Sequence, residues 1–406
     1  MSCRDHSTTQ FPLTPRSEAA FVPLGEGGVV FVPGTSRLFF LNATTAVLWC
    51  LLGEDASSAD LEQQLTERFA IDRATARRDV ETALALFERE GLLVGQEPQP
   101  SPPVVGMPRI PAPGALLPEP LAPLSWADFE LAGLTVSIAL GPANPGRAFA
   151  VALAHQRIPA PPHGVQAQAR LAALAADGEP GVWDVYLNEA LRWGGVAREA
   201  VLPAFYSLLF LSACEALAHR LLLHAAVLSR GSRALLLAGE TGSGKSTLAA
   251  ALAASGWICF SDELAVVDVE FHWVTPFTMP FSIKPGSTQV LLPYYPSLAT
   301  AKFSARGDGK RVHYLPPPAT SVPSPGASAE VGTVVFPKYS ADAPFAFSEL
   351  TKPAALARLA ETGSSDRALT TADVETLVAL VDRNPCYELC YSFLDDAMRC
   401  IEDLPL

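Results

Sequence analysis

The chain has 406 residues, enough for two or three domains at ~100–200 residues each. Hydrophobic residues make up 49% and charged residues 17%, so a sizeable core can form and wholesale disorder is excluded. With 42 acidic against 29 basic side chains and a net charge of -13, the chain repels phosphate backbones and carries no local basic patch, which excludes nucleic acid as a partner.

Mean hydropathy is +0.23, so a membrane span has to be considered. The most apolar stretch, Ala200 to Cys214, stops at Glu215, with His219 and Arg220 close behind. It falls short of the ~20 residues a bilayer core needs, and the expectation is a buried helix and no membrane. The N-terminus, Met1 to His6, leads into polar residues without an apolar signal core. Seven cysteines, odd in number and scattered, suit reduced thiols in a cytoplasmic protein. Cys386 and Cys390 lack the further ligands of a zinc tetrahedron and are expected to be structural.

In chain order, Gly28–Val32 and Arg37–Leu41 flank Pro33-Gly34 and predict a hairpin. Asn42 is placed to cap a first helix, and Ser57 with Asp60 forms a capping-box signature before Leu61, Leu65 and Phe69. Asp72 caps a third helix with the stripe Val80, Ala83, Leu84 and Phe87; Gly91 stops it, and Leu92-Leu93-Val94 closes the module. Ten of the 36 prolines then fall between Pro98 and Pro123, which predicts a semi-extended linker. The expected division is a winged-helix-like α+β domain over 1–96, a linker over 97–124 and a larger α/β domain over 125–406. A second proline-rich loop, 316–326, is expected to be mobile. No internal repeat is present.

The order GVVFVPGTSRLFFLNATTAVLWCLLGE, DLEQQLTERFAID, DVETALALFEREGLL resembles PqqD-type domains. These are recognition elements for leader segments of ribosomally made peptides. The resemblance covers roughly residues 17–95. It implies that a leader adds as a strand beside Arg37 to Leu41 and lies against the helix bearing Arg77, Arg78, Glu81 and Leu84. A winged-helix unit that only packs or dimerises is the alternative.

Gly239-Glu240-Thr241-Gly242-Ser243-Gly244-Lys245-Ser246 is a full G-x-x-x-x-G-K-[ST] phosphate loop, between the apolar run Arg233–Ala238 and a helix-forming run from Thr247. Glycines let amides converge on phosphate oxygens, and the helix N-terminus adds its positive end. Lys245 is expected to reach the β- and γ-phosphates of ATP, and Ser246 to ligate Mg²⁺. Trp257–Phe260 reads as the next strand, and in a parallel sheet its end would bring Asp262 and Glu263 to the same rim. Two carboxylates there could hold Mg²⁺ and take a proton from an attacking hydroxyl, while simple capping or a surface ion pair is the plainer reading.

The segment LLLHAAVLSRGSRALLLAGETGSGKSTLAAALAASGWICFSDELAVVD resembles the catalytic core of HPr kinase/phosphorylase and its relatives. A broader resemblance spans 125–406 through MPFSIKPGS, VVFPKYSADAPFAFSEL and YSFLDDAMRCIEDL. It implies a P-loop kinase fold with His224 near the transferred phosphoryl or bonded to the catalytic acid, and Asp262 and Glu263 as base and magnesium-associated carboxylate. The second acid is Glu where the family has Asp, which leaves open which is the base. A further cation is expected on the phosphoryl group, Lys284 or, in the loop 306–311, Arg311. The segment that engages HPr is not recognisable.

The combined expectation is an ATP- and Mg²⁺-dependent kinase acting on a Ser or Thr hydroxyl of a protein or precursor peptide held by the PqqD-like domain. A small-metabolite kinase and a non-catalytic ATP-binding scaffold are the alternatives. Relatives form homo-oligomers, and nothing in the sequence reports such an interface.

Overall fold

The computed structural model describes residues 13–33, 37–54, 56–94, 112–116, 125–140, 145–159, 167–176, 181–306, 309–363 and 367–404. They form two compact units, Met1–Val105 with Arg367–Asp382, and Gly106–Asp366 with Arg383–Leu406. Most of the expected linker lies outside the described residues.

The first unit opens with β1 (Ala20–Leu24), β2 (Gly27–Phe31) and β3 (Leu38–Leu41), an antiparallel sheet in that order. The predicted hairpin is β2–β3, with Val30 opposite Phe39. Three helices follow, α1 (Ala43–Leu52), α2 (Ser58–Phe69) and α3 (Arg73–Arg89). Each starts at the cap its sequence announced. Asn42 Oδ1 accepts from the Thr45 amide at 2.9 Å, Ser57 and Asp60 form the reciprocal box, and Asp72 Oδ1 accepts from the Thr75 amide at 3.0 Å. The helices close on the sheet through Leu48, Leu52, Leu61, Leu65, Val80 and Phe87, with Trp49 edge-on to Phe87 at 5.2 Å. After α3, Leu93 pairs with Pro15.

The second unit begins with a six-stranded sheet. Its strands are β4 (Ser125–Leu131), β5 (Leu134–Leu140), β6 (Arg157–Ile158), β7 (Ala169–Ala175), β8 (Val182–Leu187) and β9 (Ala190–Ala197), in the order β6-β4-β5-β7-β8-β9. α4 (Gly146–Ala152) and α5 (Arg198–Ala216) pack on it. α5 is the one described helix long and apolar enough to cross a membrane, but Val201, Phe205, Leu208 and Leu209 are wholly buried in the core, as expected for Ala200–Cys214. Residues 112–116, read as linker, are hydrogen-bonded to β9 instead: the Gly114 amide donates to Leu191 O at 2.8 Å and the Leu191 amide to Ala115 O at 2.9 Å. Sheet edges offer unpaired backbone groups, and an extended proline-flanked segment satisfies some of them.

A nine-stranded mixed sheet follows. It contains β10 (Leu221–Leu223), β11 (Ala225–Arg230), β12 (Arg233–Ala238), β13 (Ile258–Ser261), β14 (Ala265–Val267) and β15 (Trp273–Thr275). A separate small sheet is made of β16 (Phe281–Ile283), β17 (Ser304–Ala305) and β18 (Arg311–Leu315). β19 (Ala329–Tyr339), β20 (Ala346–Glu349) and β21 (Cys386–Tyr391) complete the large sheet. The helices of this part are α6 (Lys245–Ala254), the single turn α7 (Thr288–Leu291), α8 (Lys352–Ala360) and α10 (Leu394–Glu402); α9 (Thr371–Arg383) falls between α8 and β21 in the chain. Residues 367–382, which sequence alone groups with the larger domain, cluster with the first unit.

β12 runs parallel to β19, and β19 parallel to β21, whereas β11 lies antiparallel between β12 and β13. The sheet is therefore mixed, and β13 shares the direction of β12 across an intervening strand. α6 packs on β11 and β12, with α10 beside it, around Leu248, Leu252, Trp257, Met398 and Ile401. The loop 316–326, expected to be mobile, is anchored: Ser321 is fully buried, and its hydroxyl donates to Ala253 O at 2.5 Å. That bond adds to the Gly256 amide, which donates to the same carbonyl at 3.1 Å, and ties the loop to the end of α6.

Leu223 pairs with Ala265 and Val227 with Ser261, in one continuous register. Yet the ladder is open between them, over 224–226 and 262–264. β10–β11 and β13–β14 are thus two long strands that pair at both ends and part in the middle. His224, Asp262 and Glu263 occupy that gap.

Candidate functional site

The buried run β12 ends at Gly239, and the loop to α6 turns through Gly242 and Gly244 with φ of +101° and +98°. Those are backbone conformations that side chains disfavour. At Gly244 a β-carbon would also collide with the Tyr391 hydroxyl, so the loop follows a path open to glycine. The Tyr339 amide donates to Ser243 O at 3.0 Å, tying the loop to the end of β19. Gly244 caps α6 with no side-chain bond, which leaves first-turn amides for an anion.

Lys245 is 5% exposed. Its Nζ donates to Gly239 O at 2.6 Å and Glu240 O at 3.0 Å, folding the ammonium back under the loop. Burial lowers its pKa, and the negative charges of Asp262 and Glu263 oppose the shift.

After β13, Ser261 Oγ accepts from the amides of Glu263 at 3.3 Å and Leu264 at 2.9 Å and turns the chain out of the ladder. Asp262 is 1% exposed; one carboxylate oxygen accepts from the Ser282 amide at 3.1 Å, and Oδ1 has no partner among the described residues. Burial, then the Glu263 charge, pushes its pKa up to about 7 against the Ser282 amide, the Ser246 hydroxyl and Lys245. Across the gap, the His224 amide donates to Thr362 O at 2.6 Å. Its Nδ1 stands 3.5 Å from Glu263 Oε2. Burial lowers the imidazole pKa, Glu263 raises it and Lys245 lowers it.

These groups face one cavity of about 530 Å³. Of the residues proposed from sequence, His224, Thr241, Gly242, Gly244, Lys245, Ser246, Thr247, Asp262, Glu263 and Lys284 line it. Gly239, Glu240 and Ser243 shape the loop behind it. Arg311 is exposed on β18 and does not line it; Arg306 and Lys310 of the same loop do, while residues 307 and 308 lie outside the described residues. The Thr247 and Ser287 hydroxyls meet at 2.7 Å and join α6 to the segment after β16. Sequence reasoning missed Ser282, Tyr339, Tyr391 and Ser392. They come from β16, β19 and β21, which meet the loop only through long-range pairing; for Tyr391 the available signal was the glycine at 244 against which it packs.

Among the described residues no three His, Cys, Asp or Glu cluster as a metal cage. Magnesium needs no such cage: it keeps several waters and takes one or two carboxylates with phosphate oxygens. The unpartnered Asp262 Oδ1 and the Ser246 hydroxyl at the same cavity fit that ion.

No curated protein matches the chain. The solved complex of TbiB1 with the TbiA(beta) leader peptide is similar at 21% identity, over 21% of this chain and 98% of that one, with a TM-score of 0.20. Residues 27–93 match the family model of coenzyme PQQ synthesis protein D, PqqD. The N-terminal part of the first unit, a three-stranded sheet and three helices, thus contains a small α+β PqqD-like domain.

Proposed function

We propose that the protein is an ATP- and Mg²⁺-dependent kinase of the HPr kinase-like P-loop type, acting on a Ser or Thr hydroxyl of a peptide that its PqqD-like domain holds by a leader segment. The observation that carries this reading is the meeting of Lys245 and Ser246 with Asp262, Glu263 and His224 in one cavity. Phosphoryl transfer asks the protein for positioning and charge more than for covalent chemistry, and this set supplies both. Gly242, Gly244 and the first turn of α6 hold the phosphates, and Lys245 leaves its loop carbonyls for the β/γ oxygens. Ser246 and Asp262 would hold Mg²⁺, which when bound would neutralise charge on the phosphates. Glu263, steadied by His224, takes the proton from the acceptor hydroxyl as its oxygen bonds to the γ-phosphorus and the bond to the β-phosphate oxygen breaks. Lys284, Arg306 and Lys310 add positive charge on the far wall.

The PqqD match supports the choice of a peptide. β3 is an edge strand that pairs only with β2 among the described residues, and Phe40 on it is exposed. The Arg37 guanidinium donates to Glu90 Oε2 at 2.7 Å and fixes the entry to β3 against the end of α3. A leader adding to this edge raises the effective concentration of the acceptor. The test is intact-mass analysis of precursor peptides incubated with Mg-ATP and either the native protein or Lys245→Ala. One added phosphate with the native protein alone is the expected result, and no gain on any peptide while ATP binds would reject the kinase.

A further inference from the structure

The cavity is chemically divided. Its four cations, Lys245, Lys284, Arg306 and Lys310, and both carboxylates lie on the loop or toward β13, β16 and β18. On the opposite side of β12, at the carboxyl ends of β19 and β21, its lining is Tyr339, Tyr391, Ser392 and Leu394, without a charge. A phosphoryl group directed at Asp262 and Glu263 leaves the rest of its donor pointing the other way, over these uncharged residues.

Tyr339 is built as a platform. Its amide is bonded to Ser243 of the phosphate loop, so the ring is indexed to the phosphates. Behind it, Tyr391 stands edge-on with centroids 5.7 Å apart and is itself buried against Gly244. Tyr339 nevertheless remains 49% exposed. A fixed aromatic face with an open side suits a planar base, and a neighbouring hydroxyl, Ser392, suits a ribose or a ring nitrogen.

We infer that the nucleoside end of the phosphoryl donor binds at the ends of β19 and β21, its base stacked on Tyr339. This rests on the nucleotide reading above and adds to it where the base sits and what holds it. Full-length native protein and its Tyr339→Ala, Tyr339→Phe and Lys245→Ala variants would be titrated calorimetrically with Mg-ATP and with Mg-tripolyphosphate, which lacks a nucleoside. Tyr339→Ala is expected to weaken Mg-ATP by about tenfold or more and leave tripolyphosphate unchanged, while Tyr339→Phe binds both as the native protein does. Retained tripolyphosphate binding also shows that the variant is folded. Unchanged Mg-ATP affinity in Tyr339→Ala would overturn the base site alone. If Lys245→Ala bound both ligands normally, or the native protein bound neither, the nucleotide reading itself would fall.

Discussion

Asp262 has exchanged nearly all of its hydration for one amide and a place beside a second carboxylate, and the cost is visible as a pKa of about 7 against an ordinary 3.8. The folded state therefore holds this proton over a pH range in which the unfolded chain has lost it. The sign follows: stability is greatest below the unfolded value and declines as pH rises toward 7, by up to about 4 kcal/mol for this group alone. Asp262→Asn keeps an oxygen for the Ser282 amide and has no proton to lose. In urea denaturation without Mg²⁺ or nucleotide, this variant should be more stable than the native protein at pH 8, with the gap closing as pH falls toward 4. A constant gap across that range would mean that Asp262 does not titrate as described. The motif residues of the loop and the two acids were legible in sequence because each lies beside a strand end that its own apolar run announces. Ser282 was not, since it serves through its backbone amide, which carries no residue preference.

Among elements, helices were the most legible. Their caps and stripes are local, and Asn42, Ser57 and Asp72 each start the helix expected of them. β1 escaped because Pro23 argues against a strand; it is tolerated on an edge strand that pairs only with β2 among the described residues. The apolar run from Leu221 forms two strands, β10 and β11, parted at His224, because each takes a different partner. The junction of loop and α6 makes a sharper claim. Gly244→Ala places a β-carbon both at positive φ and against Tyr391, so Mg-ATP affinity should fall at least about tenfold and stability by about 1–3 kcal/mol. Adding Tyr391→Phe removes the closest overlap and leaves the backbone penalty and the tight approach of the Tyr339 β-carbon, so calorimetry and denaturation should show partial recovery. Full recovery would assign the whole effect to Tyr391.

Across the whole molecule, the proline cluster pointed to a division of the chain, yet residues 112–116 complete a sheet edge and 367–382 cluster with the distant N-terminal unit. Neither is legible locally, because both depend on partners far away in the sequence. On the proposed function, leader capture and nucleotide binding would draw on separate units, so they should respond to separate substitutions. Phe40→Asp, at an exposed position on the β3 edge, should weaken binding of a fluorescent leader peptide to the full-length protein at least about tenfold and leave Mg-ATP affinity unchanged. Equal leader affinity in the variant would place recognition elsewhere.

The opened ladder around His224 and Glu263 also decides which changes in length the chain can absorb. Between α6 and β13, at Ser255 and Gly256, an added residue disturbs the helix cap but leaves the strand pairing in place. Within β11 or β13, one residue gained or lost shifts the pairing and turns every following side chain to the other face. A chain with one residue deleted from β13 would keep its glycine loop, its histidine and both acids, and so every motif by which a sequence is sorted, while its carboxylates faced away from Lys245.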